Sequence, residues 1–196
     1  ILKIEANSQN QIKVRDFYPE PSDISDIIME FYTHSEKEND FAANYPVYST
    51  ATLDLCRERM ASLDGQIDAA DAAGDADLVT FLISAQDEWL KKEKAIQLLI
   101  AQTGITELRE IDKQAHIKIV VQKETTYGIY TQIHNEIEEA LNTLKNKKCK
   151  ELFGESYTHM KFRYNQNPDE NPDDKPKIDL INILYPGKII EVEPKN

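Results

Sequence analysis

The chain has 196 residues, 40% of them hydrophobic and 30% charged, which is enough for a real core in one domain, or in one domain carrying a large insertion, and excludes a disordered polypeptide. A formal net charge of -12 and a pI near 4.8 argue against nucleic acid or an anionic membrane surface as partner, because both would be repelled, and favour a basic or neutral protein.

The N-terminus is a candidate β-hairpin. In ILKIEANSQNQIKVRDF, Leu2, Ile4 and Ala6 alternate with Lys3 and Glu5, the polar NSQN supplies the turn, and Ile12 and Val14 alternate with Lys13 and Arg15. One face is therefore apolar. After Pro19 and Pro21, Ser22 or Asp23 can cap a helix running through Ile24, Ile27, Ile28 and Phe31.

The middle is different in kind. From Ser49 to about Ala73, Leu53, Cys56, Met60, Leu63, Ile67 and Ala70 are spaced by three and four in a heptad-like seam. Gly74 then stands where a helix C-cap favours glycine, and Asp75 where the next N-cap favours aspartate. A second helix follows to about Gln102, with Leu78, Leu82, Ala85, Trp89, Ile96 and Leu99 on its seam and Gly104 past its end. Two such seams predict an antiparallel helical hairpin over residues 49–104, its arms about 25 residues or roughly 35–40 Å long.

The stretch from His116 to Lys145 reads as a strand delivered directly into a long helix. Ile117, Ile119 and Val121 share one side of the strand, and Val120 adds apolar surface to the other. Thr125 or Thr126 can cap the helix, whose apolar stripe is Tyr130, Ile133, Ile137, Leu141 and Leu144. That is half of an α+β sandwich.

Motifs for catalysis are absent. His34, His116, His134 and His159 have no mutual metal-ligand spacing, and neither a Gly-rich phosphate loop nor Gly-x-Ser-x-Gly occurs. The run NPDENPDDKP, residues 167–176, lacks the glycine and terminal glutamate of a calcium loop and reads as a solvated, flexible loop. Cys56 and Cys149 lie in different predicted helices and read as free thiols. The sequence points to no enzyme, metal or cofactor.

An apolar strand (Val120, Val121), a short polar turn (Gln122 to Thr126), then Tyr127 and Gly128 opening a helix resemble the signature of the periplasmic domain of the ExbD/TolR family. The continuation IHNEIEEALNTLKNKKCKELFG and the ending ILYPGKIIEVEPKN, residues 183–196, resemble the longer ExbD variants of some Gram-negative bacteria. The resemblance covers residues 1–34 loosely and 116–196 closely, and nothing between. It implies an ExbD-like domain of residues 1–34 and 113–196, a small sheet packed against two helices, interrupted by the inserted hairpin.

Several expectations come from that resemblance alone. No stretch here approaches the ~20 apolar residues that span a bilayer; the chain starts at Ile1 and reads as a soluble fragment, with the family's short cytoplasmic tail and single transmembrane helix expected upstream. The family's proton-carrying Asp lies in that helix and matches no residue here. The implied setting is the periplasmic side of an inner-membrane, single-pass protein that forms homodimers, sits with an ExbB-like channel and binds a TonB-like protein. The implied function is a stator subunit that uses the proton-motive force to energise TonB-dependent transport, with a TolR-like role in envelope integrity as the alternative.

The family's use of strand exchange and strand addition makes Lys188, Ile189, Ile190, Glu191, Val192 and Glu193 the expected dimer or peptide-binding edge. Gly187 permits a sharp turn into this strand and Pro194 ends its pairing. The hairpin has two readings. Its seams bury one another beneath a solvated exterior, or it projects to touch another envelope component, as an adaptor on an α/β scaffold. The apolar cluster AIQLLIA, residues 95–101, is wider than one seam requires.

Overall fold

A computed structural model describes residues 1–38, 45–112 and 114–192 and is of mixed α+β class. Among the described residues there are two sheets and six α-helices. The larger sheet takes β1 (Leu2–Ala6), β2 (Ile12–Val14), β5 (Ile117–Val121) and β6 (Ile189–Val192) in the order β2-β1-β5-β6. β1 and β2 are antiparallel, whereas β1, β5 and β6 run parallel.

Strict alternation makes this sheet one-sided. Leu2, Ile4, Ala6, Ile12, Val14, Ile117 and Ile119 are buried, while Lys3, Glu5, Lys13 and Lys118 point the other way. The buried face meets Ile24, Ile28 and Phe31 of α1 (Ile24–Glu38) and Ile133, Ile137, Ala140 and Leu144 of α4 (Tyr127–Phe153). Each fully buried Ile or Phe contributes roughly 1.5–3 kcal/mol relative to exposure, so this layer is the main source of stability.

The second sheet pairs β3 (Tyr48–Thr52) with β4 (Glu107–Ile111), antiparallel. It corrects two expectations. Residues 49–52, read as the start of a helix, are strand; α2 (Leu53–Ala72) begins only after Thr52, whose hydroxyl accepts from the Leu55 N–H at 3.2 Å. Apart from the inserted helices, the expected domain also had a single small sheet packed on two helices, and β3, β4 and two further helices exceed it.

α2 and α3 (Ala76–Thr103) are joined through Gly74 at φ +73° and Asp75, whose carboxylate accepts from the Leu78 N–H at 3.0 Å. The helices run back along each other, with Arg57 bonded to Glu93 and Gln86 to Asp64. At their base Ala95, Ile96 and Leu99 of the AIQLLIA cluster pack with Ala51, Cys56, Leu108 and Leu180, which accounts for its width. One seam position is polar: Lys92, 7% exposed, reaches Glu110 on β4 and lies over the Trp89 ring.

Two further helices, which no pattern in the sequence predicts, are α5 (Tyr157–Gln166) and α6 (Asp174–Leu184). The acidic run is accordingly not a loop throughout. Its Asp174, 4% exposed, starts α6 and accepts a two-pronged bond from Arg163 at 2.7 and 2.8 Å, while the same guanidinium bonds Glu155 at 3.1 and 3.2 Å. The hydrogen bonds from Arg163 hold the Asp174 carboxyl below the usual aspartate range, against the opposing effect of burial.

Candidate functional site at the edge of the larger sheet

β6 closes one side of the sheet, and the chain enters it through Gly187 at φ +55°. A β-carbon there would sit 2.9 Å from Cδ1 of Leu141 on α4, so both conformation and space favour glycine. Lys188 precedes the strand proper; its carbonyl accepts from the Ile117 N–H at 2.9 Å, and the residue lines a surface cavity of about 410 Å³ with Glu88, Asp112 and Asn182. Ile189, Ile190, Glu191 and Val192 then pair in register with Ile117, Lys118, Ile119 and Val120. Glu193 and Pro194 lie outside the described residues.

This register decides which side chains meet α4. Ile189 and Glu191 share the helix-covered side with Ile117 and Ile119, while Ile190 and Val192 share the open side with Lys118 and Val120. Glu191 therefore faces a helix, and Tyr130 donates its phenolic hydrogen to the carboxylate, both oxygens lying 3.2 Å away. Nε2 of His134 lies 3.3 Å from Oε1 of the same group, at ion-pair distance but without hydrogen-bond alignment.

The three rings form a ladder on one helix face, because positions 127, 130 and 134 are spaced by three and four. Tyr127 and Tyr130 have centroids 6.2 Å apart, and Tyr130 and His134 4.5 Å. Desolvation, followed by the hydrogen bond to Glu191 and the negative charge of its carboxylate, raises the Tyr130 hydroxyl above its ordinary value. The phenol thus stays a donor to the strand throughout the neutral range.

The start of α4 is held by the hairpin turn. Oδ1 of Asn10 accepts from the Thr126 N–H at 2.8 Å, the Thr125 hydroxyl donates to the Asn7 carbonyl at 3.0 Å, and Oε1 of Gln122 accepts from the Ser8 N–H at 2.8 Å. Thr126 is the N-cap residue, although its own side chain makes no capping bond. Tyr127, 80% exposed, then stands at the top of the ladder. Gly128 has neither a positive φ nor crowding at its missing β-carbon, and nothing in the structure explains a glycine there.

The structure thus brings Tyr127 to the same corner as Glu191, joined through Tyr130 and His134. By spacing alone Tyr130 belongs to the apolar stripe of α4 and His134 has no metal-ligand partner; the signal that joins both to this corner is the aromatic spacing 127, 130 and 134. The remaining histidines lie elsewhere: His34 stacks on Tyr45 at 3.7 Å, Nδ1 of His116 is 2.7 Å from the Gln114 carbonyl oxygen, and Nδ1 of His159 is 3.7 Å from Glu155. Among the described residues, no group of three or more His, Cys, Asp or Glu side chains is placed to hold a metal ion, and no helix is long and apolar enough to cross a membrane. Cys56 and Cys149 are free and buried. Neither the family models, nor the curated proteins, nor the solved structures contain a match to this chain.

Proposed function

We propose that this chain is the periplasmic domain of an ExbD-like stator subunit, a binding and force-transmitting module that uses no catalytic chemistry of its own. The observation that carries the reading is β6: a parallel edge strand with a backbone side left unpaired among the described residues, and with side chains clamped to α4 through Glu191. An edge held rigidly on one side is suited to receive a strand on the other, because an incoming chain finds aligned N–H and C=O groups without ordering them first. In this reading the occupant is a second copy of the domain or an extended segment of a TonB-like protein, and α2 and α3 form a hairpin inserted into the ExbD-like domain.

Light scattering and titration with an extended TonB-derived peptide test the proposal. Dimerisation or peptide binding should perturb the β6 amides in NMR spectra and be weakened by Ile190→Pro, which alters the edge backbone. A strict monomer up to millimolar concentration that also ignores the peptide would overturn it. The TolR-like alternative shares the edge and differs in its partner, which a pull-down from envelope extracts would identify. The adaptor alternative is favoured by the exposed apolar side chains of α3; deletion of residues 49–104 separates it, because loss of partner binding with an intact β6 edge would assign the function to the helices.

A further inference from the structure

Charge is distributed unevenly along α2 and α3. Between positions 60 and 90 there are seven acidic residues and no lysine, arginine or histidine, more than half of the formal net charge in a short stretch of chain. The basic residues of these helices lie at the base, at Arg57, Arg59, Lys91, Lys92 and Lys94. Within the acidic half, Asp68, Asp71, Asp77 and Asp87 are exposed and make no ion pair among the described residues.

The same segment exposes apolar side chains. Phe81 is 68% exposed and Leu78 43%, three positions apart on α3 and next to the Gly74 turn. Neither takes part in the apolar clusters that bury the base of the helices. Acidity alone would serve solubility, but an exposed Phe–Leu pair on the tip works against solubility and needs another account.

We infer that the Leu78–Phe81 tip of the α2–α3 pair is a docking surface for a cationic amphipathic protein segment, in which lysine or arginine flanks apolar residues. Charge complementarity selects this occupant. A second copy of the tip would bring like charges together, and an anionic lipid surface would be repelled. A basic segment is drawn in by the aspartates, and its apolar residues cover Phe81 and Leu78 once it arrives. The surface is separate from the β6 edge, so it does not depend on the function proposed above.

Fluorescence anisotropy on the full chain tests this with two labelled probes: a leucine–lysine amphipathic helix, and a serine–lysine peptide of equal charge. The first should bind and the second should bind at least about tenfold more weakly. Phe81→Ser should weaken the first by a similar factor with the circular dichroism spectrum unchanged, and Leu78→Ser provides a second exposed variant. The triple variant Asp68→Asn, Asp71→Asn, Asp77→Asn should flatten the salt dependence measured up to roughly 0.15 M ionic strength. Neutralising Asp169 and Glu170 in the distant acidic run should change nothing. Equal binding of the two probes, an equal effect of the distant substitutions, or sedimentation of the protein with phosphatidylcholine vesicles and no peptide binding would overturn the inference.

Discussion

The phenol oxygen of Tyr130 stands 3.2 Å from both carboxylate oxygens of Glu191, so a helix side chain reaches across to hold the outermost strand of the sheet. Removing that hydroxyl in Tyr130→Phe leaves the ring and its contact with His134 in place. Hydrogen exchange of the β6 amides should accelerate several-fold while the amides of β1 keep their protection. Unchanged exchange would show that pairing with β5 alone fixes the strand.

Gly187 sets the direction in which β6 leaves the preceding turn. Gly187→Ala introduces a left-handed φ for an alanine and a close approach to Leu141, and should cost about 1–2 kcal/mol in urea unfolding. Because the adjacent Lys188 carbonyl bonds the Ile117 N–H, protection of that amide should fall as well.

Lys92 and Glu110 form a pair whose side chains are 9% and 12% exposed. Lys92→Met strands the carboxylate and should destabilise by about 3 kcal/mol, whereas Lys92→Met with Glu110→Leu should return to within about 1 kcal/mol of the parent, because the pair's attraction is largely offset by its desolvation. Urea midpoints of the four proteins in the cycle decide it.

Lys145 is cationic and its bonded partners among the described residues are neutral: its ammonium donates to Oδ1 of Asn182 at 2.8 Å and lies 5.2 Å from the Tyr157 ring centroid. Burial, with Lys161 nearby, lowers its pKa to about 8. The folded value is below the unfolded one, so the contribution of Lys145 to stability is complete above the usual lysine range and is lost as pH falls through about 8. Lys145→Met should therefore raise stability at pH 7 by about 2 kcal/mol, after allowance for solvent screening, and the gap between variant and parent should close between pH 8 and 10. A gap independent of pH would assign the effect to packing.

The hairpin strands, β5 and α4 were legible because a period of two and a stripe spaced by three and four are strong local patterns, and Gly74, Asp75 and Gly104 marked the helix ends. β3 and β4 were not, because YSTAT and ELREI are short and find their register only in each other. α6 was hidden behind the acidic run, since the fixing of Asp174 depends on Arg163, eleven positions back on another helix. The site was half legible. An apolar strand at Ile189–Val192 could be read, but which face Glu191 takes follows from its pairing with Ile119, and that register is tertiary.

The order of strands in the larger sheet also governs how the chain is assembled. β1 must wait for β5, more than a hundred residues later, before it gains its parallel neighbour, and β6 is added from the last residues described. Contacts between α2 and α3 are by comparison close in sequence, so on a growing chain these helices can collapse while Leu2, Ile4 and Ala6 still lack a partner. A ribosome-bound chain stalled with β5 still inside the exit tunnel and α3 just outside it should therefore hold folded helices beside an exposed apolar hairpin, which makes the N-terminal strands the part most exposed to aggregation during synthesis.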